Sequence, residues 1–202
     1  TIFAEGAVMH GTYHLNLRFY CREDYTKLYV SSGGWYEGDV TVGGVKKHCR
    51  LLDYNVNGAF NDKAMLPAKC DRIEIGEHGP DSSRFVGNYV EVNGEYYRLK
   101  VVPDGAFIEL AQADDLKLGE VTVAEAVTEF SAGGKNGLFV VKPEGGVGSL
   151  PVGKCRTNHW IVNRSDDNGA QWELRGDRPK ESAAFDVGED GRALLVAKGH
   201  VA

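Results

Sequence analysis

Long apolar runs are missing from the chain. No stretch of about 18 uninterrupted apolar residues occurs, so no helical membrane span is expected. Positive charge is also short. Lys and Arg number 23 against 29 Asp and Glu, a net charge of −6. That balance, with no Lys/Arg cluster, argues against nucleic-acid or anionic-membrane partners. Cysteine is sparse: Cys21, Cys49, Cys70 and Cys155 form no C-x-x-C or C-x-x-H pair, which excludes the usual structural zinc spacings. No G-x-S-x-G, H-E-x-x-H, P-loop or dinucleotide fingerprint is present. The chain begins at Thr1 with no charged-then-apolar leader and is expected to be a mature form or a piece of something longer.

Glycine, in contrast, is plentiful. The 26 glycines are scattered through 202 residues, nearly double the usual share of about 7%, and suit a chain of many tight turns. A hydrophobic content of 42% with 26% charged residues belongs to a globular protein with one large core or two small ones. Period-2 alternation supplies the strands. Within residues 12–21, Tyr13, Leu15, Leu17 and Phe19 share one face, which predicts a half-buried strand. Residues 88–111 read as a three-strand antiparallel meander. Asn93-Gly94 is a two-residue type I′ turn signal, and Pro103-Asp104-Gly105 a second turn. Between them Tyr97, Leu99 and Val101 face one side, and Arg98 and Lys100 the other. The stretch Val121–Phe130 has a weak helical pattern, but it lacks a cap and its β-branched residues favour strand. Four or more short strands follow at sandwich-like spacing. The expected fold is therefore all-β, two β-sandwich-like domains built from antiparallel hairpins and meanders, with residues 1–118 and 119–202 as the two domains.

One polar stretch carries chemistry. Asp53-Tyr-Asn55-Val-Asn57-Gly58-Ala59-Phe60-Asn-Asp62 puts oxygen-bearing side chains on alternate residues ahead of a glycine. Calcium takes six to eight oxygens, and D-x-[DN]-x-[DN]-G loops supply them in this spacing. Asp53, Asn55 and Asn57 fill positions one, three and five, and the Ala59 carbonyl fills seven. Position twelve is Ala64, where an EF-hand carries a bidentate Glu. Asp62 is the nearest carboxylate, with Asp71 and Glu74 further on. The competing reading is a polar turn that Asp53 caps through an Asx bond. A disulfide Cys49–Cys70 would clip this loop; four buried free thiols are the alternative.

Residues 37–111, on the D-x-N-x-N-G-x-F-N-D core, "DRIEIG" and the hairpins around them, resemble secreted bacterial β-rich proteins of unknown function with a calcium-type loop. Where that pattern carries a second acidic loop, residues 76–85 offer only Glu77 and Asp81. "GGVGSLPVGKCRTNHWIV" resembles the turn of transthyretin-like and adhesin-type sandwich modules, with Cys155 in place of tyrosine. The resemblance implies fold and no reaction.

Other candidates are weaker. His10 and His14 lie roughly 13 Å apart on an extended chain, and His48, His78, His159 and His200 are isolated in sequence. Trp35, Trp160 and Trp172, with Tyr96-Tyr97, would make a sugar-stacking platform only if they left the core. The expectation is a non-enzymatic structural or binding protein, secreted or in the cell envelope, with calcium at Asp53, Asn55, Asn57, Ala59 and Asp62. Its partner is an unknown protein or glycan at the cell surface. A carbohydrate-binding or enzyme-accessory module is the alternative function, and a cytoplasmic protein with reduced cysteines the alternative location.

Overall fold

A computed structural model describes residues 13–79, 82–177 and 184–189, with the backbone of the short strands at 2–4, 7–9 and 192–194. His10, Asp81 and His200 lie outside the described residues. The chain is all-β, its one helical element a single 3₁₀ turn at Pro67–Lys69 among the described residues. No helix there is long and apolar enough to cross a membrane.

Strands β1 (Ile2–Ala4) and β2 (Ala7–Met9) pair as one hairpin. Strands β3 (Leu15–Cys21) and β4 (Thr26–Ser32) pair as another, standing as a two-stranded sheet of their own. Next, β5 (Tyr36–Val42), β6 (Val45–Leu52), β7 (Arg72–Ile75) and β8 (Ser83–Phe85) form an antiparallel sheet in sequence order. The polar stretch fills the connection between β6 and β7. Strands β9 (Tyr89–Val92), β10 (Glu95–Val101) and β11 (Ile108–Gln112) form the meander expected from the sequence. Asn93 and Gly94 have φ of 56° and 84°, the two left-handed residues that a type I′ turn requires.

In the remaining chain, β12 (Leu118–Thr122), β13 (Val127–Gly134), β14 (Gly137–Val141), β15 (Val147–Pro151), β16 (Gly153–Ser165), β17 (Gln171–Asp177), β18 (Phe185–Val187) and β19 (Arg192–Leu194) form two sheets. The larger runs β14-β13-β16-β17, with β18 also on β16, and the smaller runs β15-β12-β19. Residues 121–130 are strand, turn and strand, so β-branching wins over the weak helical period. The pairing of β12 with β19 is parallel, unlike the others.

Burial follows the alternation. Cys49, Leu51, Ile73 and Ile75 from the β5–β8 sheet meet Val90, Val92, Tyr97, Leu99 and Val101 from the meander in one buried cluster. A second cluster gathers Val121, Phe130, Phe139, Leu150, Cys155 and Val162. The meander touches both, because Tyr89 and Tyr96, on its opposite face, pack against the second cluster, with Tyr96 and Phe139 ring centroids 5.9 Å apart.

Two expectations change. Strand β3 forms with the expected alternation, but every residue in it is exposed, so it is not half-buried. No disulfide forms: all four cysteines are free, three of them buried and Cys21 exposed. Cys49 lies in the first core cluster, and the Cys70 thiol donates to the Ala64 carbonyl at 2.8 Å. Desolvation pushes the Cys49 thiol up to about 11, which keeps it protonated and unreactive.

Candidate functional site

The loop between β6 and β7 folds around two wholly buried carboxylates. Asp53 directly follows β6 and accepts three backbone N–H bonds from the turn ahead of it. Its Oδ1 takes Val56 N at 2.7 Å and Asn57 N at 3.3 Å, and its Oδ2 takes Gly58 N at 2.7 Å. This is the Asx capping available to an aspartate that leads a turn. A fourth bond reaches back 40 residues, as the Tyr13 hydroxyl donates to Asp53 Oδ2 at 2.5 Å. Burial, then that bond to Asp53, pushes the Tyr13 phenol up to about 12, so Tyr13 remains a donor at any physiological pH.

Asp71, just before β7, clamps the two ends of the loop. Its Oδ1 accepts Tyr54 N at 3.0 Å and its Oδ2 accepts Asp62 N at 2.8 Å. The backbone adds Asp71 N to Asp62 O at 3.2 Å. Both Asp53 and Asp71 are 0% exposed. Desolvation, only partly offset by its two backbone bonds, pushes the Asp71 carboxyl up to about 6; the like charges of Asp62 and Asp53 add to it. Among the described residues no Lys or Arg forms an ion pair with Asp53, Asp62 or Asp71.

Three of the five expected ligand residues converge. Asn55 Nδ2 and Asn57 Nδ2 both donate to Asp62 Oδ2, at 2.7 and 2.5 Å. Their amide oxygens meanwhile accept Asn57 N at 3.2 Å and Ala59 N at 2.8 Å. Each retains a second lone pair. Asp53 stands apart, its oxygens occupied by backbone donors. Among the described residues no three His, Cys, Asp or Glu side chains gather closely enough to ligate an ion by themselves. Both asparagine amides thus turn N–H toward Asp62 and oxygen toward backbone donors, so a cation beside Asp62 would need the two amides to rotate.

The loop also stores strain. Val56 has φ of 63°, a left-handed conformation that costs a β-branched residue roughly 1–2 kcal/mol. Its N–H bond to Asp53 holds it there. Phe60 fixes the far side by burying its ring in the first core cluster, 4.9 Å from the Tyr36 ring and 6.4 Å from the Tyr13 ring.

A second constellation escaped the sequence. Ser131 Oγ lies 2.7 Å from His159 Nδ1, and His159 Nε2 lies 3.2 Å from Glu129 Oε1. Hydroxyl, imidazole and carboxylate in line are the arrangement of nucleophilic hydrolases. Here Ser131 is 0% exposed, and the trio fastens β13 to β16. The only available signal was the cross-strand pairing Ser131↔His159, which the isolated sequence positions conceal.

The aromatic platform does not assemble as expected, since Tyr97 is buried and Tyr96 packs inward. Trp160 is half-buried, whereas Trp35 and Trp172 are 55% and 45% exposed. His48 sits 3.8 Å from both Glu37 and Asp39 on the open face of β5 and β6. Comparison of the chain with protein-family models, curated proteins and solved structures finds no match.

Proposed function

We propose that this is a secreted or cell-envelope binding or structural protein whose β6–β7 loop takes calcium as a structural ion. The observation that carries the reading is the convergence of Asn55, Asn57 and Asp62 beside two buried carboxylates, none of the three acids in an ion pair with Lys or Arg among the described residues. Burial holds the Asp71 carboxyl above its ordinary range, with the like charges of Asp62 and Asp53 adding to it, and a hard cation nearby favours the ionised form. Few ligands carry formal charge, so the dissociation constant belongs in the range of about 10⁻⁴–10⁻³ M. Calcium at about 10 mM then adds roughly 1.4–2.7 kcal/mol of stability, a rise of several degrees in melting temperature for a chain of this size. The assay is calorimetry on chelated protein before and after adding calcium. An unchanged melting temperature at millimolar calcium sinks the ion.

The exposed Trp35 ring supports a second reading, a surface that stacks on sugar. Its indole N–H donates to Glu37 Oε2 at 3.1 Å, and Arg50 lies 5.8 Å from the ring centroid. Glycan-array binding that disappears in Trp35→Ala supports that reading, and an array with no binding removes it.

A further inference from the structure

The β3–β4 hairpin has one face that lacks the cover its chemistry demands. Paired residues of an antiparallel ladder point to the same side, so the register sorts the side chains. Leu17↔Val30 and Phe19↔Leu28 fall on one face with Leu15, while Arg18↔Tyr29 and Tyr20↔Lys27 fall on the other. On the first face Leu15, Leu17, Phe19, Leu28 and Val30 are 48%, 56%, 65%, 52% and 44% exposed. Their side chains present roughly 500 Å² of apolar surface, near the top of the range for a single patch on a monomer. A two-stranded hairpin with neither face buried is at best marginally stable in water.

We propose that the occupant is a second copy of this chain, its hairpin laid face to face on the first about a two-fold axis. Area is the first argument. Two such faces remove about 1,000 Å² together, the lower bound for a specific interface, and an isologous pair needs one patch only. Charge is the second. The apolar face carries no ionisable group except the Cys21 thiol, and residues 13–32 hold three cations (Arg18, Arg22, Lys27) against two anions (Glu23, Asp24) in a chain of net −6. Two copies that would repel elsewhere therefore meet here without like-charge opposition. The arm is tied to the loop at its root by Tyr13 on Asp53, and Gly33 N on His14 O closes the base of the hairpin itself; the apolar face stays exposed.

The test is sedimentation velocity and light scattering on the full chain from roughly 1 to 100 µM, since a weak dimer follows mass action. The expected result is twice the 22.0 kDa chain mass at the upper end, falling toward one chain on dilution. Phe19→Asp and Leu28→Lys should each raise the dissociation constant at least about 100-fold, an effect expected of a residue at the interface centre. Tyr29→Asp, on the opposite face, should change it less than about threefold. Near-ultraviolet circular dichroism establishes that each variant keeps its fold. Hydrogen exchange on wild-type protein gives a readout that needs no variant: amides of 15–32 should slow as concentration rises. A chain monomeric at the highest concentration overturns the proposal, and so does hairpin protection that ignores concentration, because another segment would then cover the face. Open-ended association overturns the two-fold pairing.

Discussion

Replacing Asp71 by asparagine should cost the protein one loop bond at every pH and remove the loss of stability that wild type suffers between pH 4 and pH 8. Burial pushes the Asp71 carboxyl up to about 6 in the folded chain, against an ordinary value of 3.8. Between those two values the folded state holds a proton that the unfolded state has released. Stability contributed by this group is thus fully present below about pH 4 and is lost as pH rises through 6. A gap of about two pH units corresponds to roughly 3 kcal/mol. Asparagine keeps the shape and one carbonyl acceptor without ionising, so the variant escapes this loss, but its amide N–H₂ cannot accept one of the two backbone N–H bonds that the carboxyl holds, a cost of about 1–3 kcal/mol at every pH. The difference, variant minus wild type, should be about −1 to −3 kcal/mol at pH 4 and rise by about 2–3 kcal/mol toward pH 8. The groups facing Asp71 are Asp53 and Asp62 from the loop, with Arg72 next to it. They are present in both proteins, so their titration largely cancels in the difference. Urea unfolding followed by tryptophan fluorescence, in chelator at several pH values, measures it. A difference that does not rise with pH refutes the argument that Asp71 is a strained buried charge. Adding calcium should then reduce that rise, since a nearby cation favours the ionised carboxylate that only wild type has.

Further outcomes follow from the same loop. Asp53→Ala removes the acceptor of three backbone N–H groups and of Tyr13; it should cost about 3 kcal/mol and speed proteolysis between residues 13 and 35. Val56→Gly relieves the left-handed strain at φ 63° but adds chain entropy, for a net gain of about 0.5–1 kcal/mol, read as a small rise in melting temperature. Asp62→Ala should abolish the calcium-dependent rise in melting temperature, while Asp39→Ala, on the distant β5 face, should leave it intact. Alkylation of native protein should modify Cys21 within minutes and spare the buried Cys49, Cys70 and Cys155 until denaturant is added.

What the sequence made legible follows from locality. The Asn93-Gly94 turn and the alternation through Tyr97, Leu99 and Val101 encode their structure within a few residues, and both stand in the fold. The turn at 53–58 was likewise readable, because Asx capping is a short-range bond. Alternation, however, reports which residues share a face and not what that face meets. Leu15, Leu17 and Phe19 therefore read as the buried side of a half-buried strand and prove exposed. Asp71 as the clamp on both loop ends and Tyr13 as a partner of Asp53 depend on contacts 9 to 40 residues apart. Ser131, His159 and Glu129 likewise come together only when β13 pairs with β16.

The tie from Tyr13 to Asp53 gives the molecule a mechanical aspect. The phenol at the root of the β3–β4 arm ends on the carboxylate that shapes the loop. Tension applied to the arm is delivered through it to the Asp53 turn as well as along the chain into β5. A cation stiffening that turn would raise the load at which the arm detaches, so ionic conditions outside the protein would set the strength of its attachment.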